Sequence, residues 1–134
     1  MVKNYFVKSS RKKAKARCLV KKGAGNIHVN NAPIDAKYNG YKLELIKEPT
    51  YIAQPEFEKL DFFVNVSGGG ISGQIQAIRS CVVKGILEAN NNKEELKKVF
   101  LSYDRHLVVD DVRQKEEYKQ LGRGARSKKQ HSKR

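Results

Sequence analysis

Two runs of lysine and arginine, with a string of glycines between them, are the residues of this chain whose types and spacing could do chemistry. The first run, Arg11-Lys12-Lys13-Ala14-Lys15-Ala16-Arg17, sets five cations in seven residues with no carboxylate among them. The last eleven residues, Gly124 to Arg134, hold five more, Arg126, Lys128, Lys129, Lys133 and Arg134, again without an acid and with no apolar side chain larger than alanine. Fixed cations at this density attract a polyanion; toward phosphate, arginine forks onto two oxygens while lysine acts as a point charge. Between the runs, Gly68-Gly69-Gly70-Ile71-Ser72-Gly73 follows an alternating apolar stretch and precedes a helical one. A glycine loop that opens a helix can cradle phosphate on its backbone N–H groups.

Placement of the charge argues for the polyanion. Of the formal net charge of +14, the first 22 residues carry nine Lys or Arg and no acid, whereas Gly23 to Val112 carries ten basic and twelve acidic residues. Arg113 to Arg134 then adds nine basic residues against two acidic ones. Solubility needs only a modest charge of either sign, so a nearly neutral middle between cationic ends implies a nucleic acid, an anionic membrane or an acidic protein as partner. Membrane binding is disfavoured, because the final eleven residues offer no Leu, Ile, Phe or Trp to insert and no segment approaches the ~18 apolar residues of a spanning helix. No signal-peptide stretch opens the chain, so we expect a soluble, unsecreted protein.

Catalysis fares worse than binding. The Gly68 loop lacks the Gly-Lys-Ser/Thr ending of a P-loop, and no acidic pair near a strand end stands ready to hold a metal for phosphoryl transfer. Cys18 and Cys81 lie far apart with no CxxC spacing, and His28, His106 and His131 form no ligand cluster. We expect buried reduced thiols, no metal, no cofactor, no small-molecule substrate and no enzymatic activity. The loop itself reads as a structural turn in which small residues let backbones approach closely. Two rivals remain for test: a free nucleic-acid-binding regulatory module, and a phosphotransferase built on the Gly68 loop.

The elements that must position these residues are written in the periodicity. Ala16, Cys18 and Val20, then Ile27 and Val29 beyond Gly23-Ala24-Gly25, predict a hairpin of two alternating strands. Tyr38 to Ile46 predicts a short helix that stops before Pro49. Leu60, Phe62, Val64 and Val66 predict a third strand running into the glycines. Ile71, Ile75, Ile78, Val82 and Ile86 stripe one face of a helix to about Glu88, with Ser72 placed to cap it. Asn92 with Glu95 announces a second helix, with Leu96, Val99, Phe100 and Tyr103 on its buried side, and Leu107 to Val109 could add a short strand. The expected fold is an α/β or α+β two-layer sandwich, a three- to four-stranded sheet with two to three helices packed on it. The globular part spans residues 1–112, and residues 113–134 form an extended basic tail.

Taken together, Arg11-Lys12-Lys13, Gly23-x-Gly25, Gly68-Gly69-Gly70-x-x-Gly73-Gln74-x-x-Ala77, the terminal Gly124-Ala125-Arg126 and Ser132-Lys133-Arg134 resemble the family of the universal ninth protein of the small ribosomal subunit. The likeness spans nearly the whole chain and is most specific from Gly68 through Ile86, with Cys81 where a smaller residue is usual. Tyr103-Asp104-Arg105 and Leu107-Val108-Val109-Asp110 look like the eukaryotic cytosolic branch. Val112, where a proline often follows the aspartate, and Gln120-Leu121-Gly122-Arg123 depart from that branch. The family's globular part begins at about Arg11, which leaves too few residues ahead of it for a cleavable presequence.

The resemblance implies a domain like the second domain of the fifth small-subunit protein, seated on ribosomal RNA in the head of the small subunit beside neighbouring head proteins. It also implies a tail whose end, Lys133 and Arg134, touches the peptidyl-site tRNA. The implied location is the cytosolic ribosome, with nuclear or nucleolar passage during assembly, and the Arg11 to Arg17 run also looks like a nuclear-import patch. Candidate ribosomal RNA contacts are Arg11, Lys12, Lys13, Lys15, Arg17, Arg79, Arg113, Lys119, Arg123, Arg126, Lys128 and Lys129. From Gly122 to Arg134 an extended chain spans roughly 40 Å, and such a segment should order only on RNA.

Overall fold

A computed structural model describes residues 3–128. Lys129, Lys133 and Arg134 therefore lie outside the described residues. Five strands, β1 (Tyr5–Arg11), β2 (Ala14–Lys22), β3 (Ile27–Val29), β4 (Ala32–Pro33) and β5 (Leu60–Ser67), form one sheet in the order β1-β2-β5-β3-β4. Neighbours are antiparallel except β3 and β5, which run parallel. Among the described residues six helices accompany it: α1 (Ile34–Lys37), α2 (Tyr41–Ile52), α3 (Gln54–Phe57), α4 (Ile71–Ala89), α5 (Glu94–Tyr103) and α6 (Arg105–Val108).

Alternation decides which face of the sheet is buried. Ala14, Ala16, Cys18 and Val20 of β2 and Leu60, Phe62, Val64 and Val66 of β5 all point to one side, where Ile75, Ile78, Val82 and Ile86 of α4 meet them. Helix α4 lies close against the sheet because Gly85 has no side chain: a Cβ there would come within 2.8 Å of Val20 Cγ2 and 3.0 Å of Phe62. Helix α2 packs outside α4, burying Ile46, Pro49 and Thr50. The two-layer α/β class is as expected; among the described residues no helix covers the other face of the sheet.

Several local expectations are corrected. The sheet has five strands rather than three or four. β2 and β3 do not form a hairpin, since β5 inserts between them: alternation reports a strand's buried face, not its neighbour. The chain instead crosses over a loop held by Asp61, whose Oδ1 accepts from Ala24 N at 3.0 Å and Asn26 N at 2.9 Å. Helix α2 runs through Pro49, which removes one backbone donor but is buried against α4, and Thr50 Oγ1 donates to Lys47 O at 2.6 Å. Ser72 caps nothing; the N-cap of α4 is Gly70, in extended conformation. Asn92 sits at φ +53 in the turn that ends α4, with Lys93 as the N-cap of α5. Only Phe100 of α5 is fully buried, and Val99 and Tyr103 are about half exposed. Residues 105–108 are helical rather than extended, because the Asp104 carboxylate accepts from His106 N at 2.8 Å and starts a turn that buries Leu107 alone.

The two thiols are free and buried as expected. Cys18 on β2 and Cys81 on α4 interact across the sheet–helix contact, and that hydrogen bond together with burial pushes the Cys18 thiol far up, holding it protonated.

Candidate nucleic-acid interface

The first cationic run is split by the turn between β1 and β2. Lys12, at φ +54, and Lys13 form the turn and are exposed. Beneath them lies the glycine loop. Gly68 (φ +76) would place a Cβ 2.6 Å from Lys13 O, and Gly69 (φ +66) one 2.9 Å from Ala14 N. No L side chain fits there. Gln74 Nε2 donates to Gly68 O at 3.0 Å and fastens the loop to the first turn of α4. The glycines thus seat the turn against the start of a 19-residue helix that has no side-chain cap and no acid in its first turn.

A helix N-terminus carries about half a positive charge and unpaired N–H donors. Here it opens into a cleft lined by Lys12, Lys13, Ser72, Lys115 and Tyr118, with the Lys115 ammonium 4.5 Å from the Tyr118 ring centroid. Backbone donors, a helix dipole and three ammonium groups border the cleft beside one carboxylate, Glu116, which Arg126 engages; such an arrangement can hold phosphate oxygens.

The chain leaves the core past this cleft, tethered at its base. Asp110 Oδ1 accepts from Ser9 Oγ at 2.5 Å and Lys84 Nζ at 2.6 Å. Desolvation raises the Asp110 carboxyl, but those two bonds and the Lys84 charge outweigh it, so it stays ionised below the usual carboxylate range. Asp111, whose side chain is 6% exposed, sits 3.3 Å from Arg11 and pairs with Arg113 at 2.6 Å; the Arg113 bonds hold its carboxyl well below the ordinary value. Arg11 Nη1 also donates to Arg113 O at 2.9 Å.

The candidate cations fall into distinct groups. Arg11 and Arg79 are spent internally: Arg79, on α4, lies 2.7 Å from Glu48 and 3.6 Å from Asp104, its side chain 14% exposed. Arg113 and Arg126 are exposed yet paired, Arg126 with Glu116 at 2.8 Å. Among the described residues Lys12, Lys13, Lys15, Arg17, Lys119, Arg123 and Lys128 are exposed and make no ion pair. Lys12 and Lys13 face the cleft. Lys15 and Arg17 point instead from β2 to the open face of the sheet, where Lys8 and Lys21 join them. The described part of the tail has no regular structure from Val109 to Lys119, then turns as Gly122 N donates to Lys119 O at 3.1 Å. The Arg126–Glu116 pair folds it back on itself.

Lys8, Lys21 and Lys115 were not singled out from the sequence. Lys21 stands at an outward position of β2, a signal that the alternation of Ala16, Cys18 and Val20 already contained, whereas Lys8 lies on β1, which no sequence signal announced. Lys115 had no such signal. Among the described residues no three metal-ligating side chains cluster, and no helix is long and apolar enough to cross a membrane.

Comparison with known proteins bears on the whole arrangement. Residues 9–134 match the family described as ribosomal protein S9/S16. The chain is 42% identical over 122 residues to the small ribosomal subunit protein uS9 of Thermoplasma acidophilum, covering 91% of this chain and 94% of the relative. It is 42% identical over 128 residues to that of Methanothrix thermoacetophila, covering 94% and 96%. With that of the yeast Debaryomyces hansenii it shares 41% identity over 129 residues, 91% of each. Archaeal and yeast relatives thus match at the same level.

Proposed function

The chain belongs to the ribosomal protein S9/S16 family, and from that membership, joined to the cationic cleft, we propose how it sits in a ribosome. It is a structural, non-enzymatic protein of the small ribosomal subunit, a component of a ribonucleoprotein that works in translation. In the proposed arrangement the globular part, residues 1–112, rests on ribosomal RNA of the subunit head. A phosphate-rich bend enters the cleft between Lys12, Lys13 and the start of α4, and residues 113–134 thread onward through RNA, using Lys119, Arg123, Arg126, Lys128 and Lys129. The tip, Lys133 and Arg134, meets the peptidyl-site tRNA.

One observation carries the reading: the uncapped, acid-free N-terminus of α4 lies under two unpaired lysines exactly where the tail leaves the core. Arg126 can exchange its carboxylate partner for a phosphate, since both members of that pair are exposed and such pairs hold by no more than about 1 kcal/mol; Arg113 is held by the largely buried Asp111 and keeps its partner. Binding of this kind fixes position and orientation and does not read base sequence. The test is gradient fractionation of the native protein in its own cell extract. Nearly all of it should sediment with small subunits and with whole ribosomes, and should leave them only as salt is raised. A protein found chiefly in the light fractions at physiological salt would instead support the regulatory module outside the ribosome.

A further inference from the structure

The face of the sheet that α4 leaves uncovered carries a pattern of its own. Strand register puts Phe6 of β1 beside Leu19 of β2, Leu19 beside Phe63 of β5, Phe63 beside His28 of β3, and His28 beside Pro33 of β4. One row of apolar and aromatic side chains therefore crosses all five strands. Phe6 is 80% and Phe63 41% exposed. The His28 and Phe63 rings lie nearly parallel, 10° apart with centroids at 5.2 Å, and Lys21 Nζ stands 5.5 Å from the Phe63 centroid.

The rows on either side are polar and cationic. Lys8 pairs with Arg17, and Arg17 with Asn65, on one flank; Lys21 pairs with Asp61 on the other; Lys15 and Ser67 follow one row further out. Asp61, the face's carboxylate, is consumed by the loop N–H groups of Ala24 and Asn26. Those bonds reach Oδ1 and keep the carboxyl ionised below the ordinary range, so the face carries one fixed negative charge against its four cations.

We propose that this face binds single-stranded RNA, with unpaired bases stacked on Phe63 and Phe6 and the backbone tracked by Lys8, Arg17 and Lys21. Charge complementarity selects the occupant. Four cations, Lys8, Lys15, Arg17 and Lys21, face outward against one carboxylate already engaged, which suits phosphodiesters and not an acid-balanced protein surface. The apolar strip is one side chain wide, whereas a stable protein interface covers about 800 Å² on each partner with a broad apolar centre. Phe6 and Phe63 stand two strands apart, about 10 Å at ~4.8 Å per strand, a separation that receives splayed bases and not a continuous stack. Aromatic side chains on an open sheet hold two or three unpaired bases in this way. The surface is separate from the cleft at α4, which takes phosphates without bases; the inference assumes, with the proposed function, that the protein lives on RNA.

The test uses the full-length protein and a short single-stranded RNA containing 2-aminopurine, whose fluorescence falls on stacking, beside its matched duplex. Phe63→Ala should weaken single-strand binding roughly fivefold to a hundredfold, leave duplex binding and the salt slope unchanged, and abolish the quenching; Phe63→Tyr should retain both. Phe6→Ala, on an edge strand and highly exposed, should give a smaller loss in the same sense, and serves if Phe63→Ala does not fold. Lys12→Gln with Lys13→Gln should do the reverse, lowering the salt slope for both RNAs and sparing the quenching. Single-strand binding and quenching unaltered by the phenylalanine variants would overturn the sheet-face proposal while leaving RNA binding intact. Loss of all binding by the unsubstituted protein would overturn the wider reading. In ultraviolet-irradiated small subunits the peptides holding Phe63 or Phe6 should carry a nucleotide adduct; a protein adduct there in place of a nucleotide would assign the face to a protein neighbour and sink the proposal.

Discussion

Glycines show how far a single residue's type can carry an argument. Gly68, Gly69 and Gly70 stand in one string, yet the structure demands different things of each. Gly68 lies at φ +76 with its missing Cβ directed 2.6 Å from Lys13 O, whereas Gly70 is extended at φ −103 with nothing within 4 Å of a Cβ. Gly68→Ala should therefore cost about 2 kcal/mol or more, the sum of a left-handed backbone penalty and a clash with main chain, and lower the melting temperature by roughly 10 °C. Gly70→Ala should leave it unchanged or slightly raised, since fewer unfolded conformations would then compete. A thermal melt of the two variants checks this, and equal effects would refute the view that the loop is a fitted seat for the Lys12–Lys13 turn. The sequence foretold a tight turn; it was silent on which glycine the turn needs. Cations were legible in the same partial way. Arg79 and Lys12 are both basic in the sequence, but Glu48 and Asp104, distant in sequence, close on one of them and no carboxylate closes on the other.

Elements were legible where periodicity and burial coincide. The stripe from Ile71 to Ile86 gave α4 nearly to its ends, and the alternation from Leu60 to Val66 gave β5. Partnership was not legible. Nothing local announces that β5 slides between β2 and β3: α4 packs on β1, β2 and β5, whereas β3 is held by β5, β4 and α1, all of them choices made in space. Edge strand β1 escaped notice for a related reason: its outward Phe6 masks the alternation of Tyr5, Val7 and Ser9. The same strand anchors the exit of the tail. Ser9 and Lys84 join β1 and α4 to Asp110 through short bonds, which makes the junction between core and tail dependent on pH. Because those bonds depress the carboxyl in the folded state, its contribution is fully present above the unfolded value of about 3.9 and fades as pH falls through the lower folded value. Asp110→Asn should lower stability by about 1–2 kcal/mol at neutral pH, and the difference from the unsubstituted protein should shrink below about pH 4. Urea denaturation at neutral and acid pH measures it; a gap independent of pH would mean that the latch acts by shape and not by charge.

At the scale of the whole molecule the segregation of charge organises everything else. A nearly neutral middle builds the core, while the two cationic ends meet at one place, since the β1–β2 turn and the departing tail flank the same helix N-terminus. That meeting could not be read from the sequence, in which Lys12 and Lys115 are about a hundred positions apart. The proposed division of labour, in which the core gives a fixed seat and the tail gives reach, rests on composition. A chain anchored at Asp110 and Asp111 by its first carboxylates can be shortened at its far end without disturbing the fold, so removing Lys133 and Arg134 separates seating from reach. Subunits carrying the shortened protein should assemble in normal yield, because none of the described packing depends on those two residues. Their hold on tRNA at the peptidyl site should fall between about twofold and thirtyfold, the worth of two solvent-screened cation–phosphate contacts, and the deficit should narrow as salt rises and screens the intact tail too. Filter binding of tRNA to purified subunits over a salt series measures both quantities. Equal retention by shortened and intact subunits at low salt would place the tail's end elsewhere than at tRNA, whereas subunits missing the protein altogether would show that the tail is part of the seat.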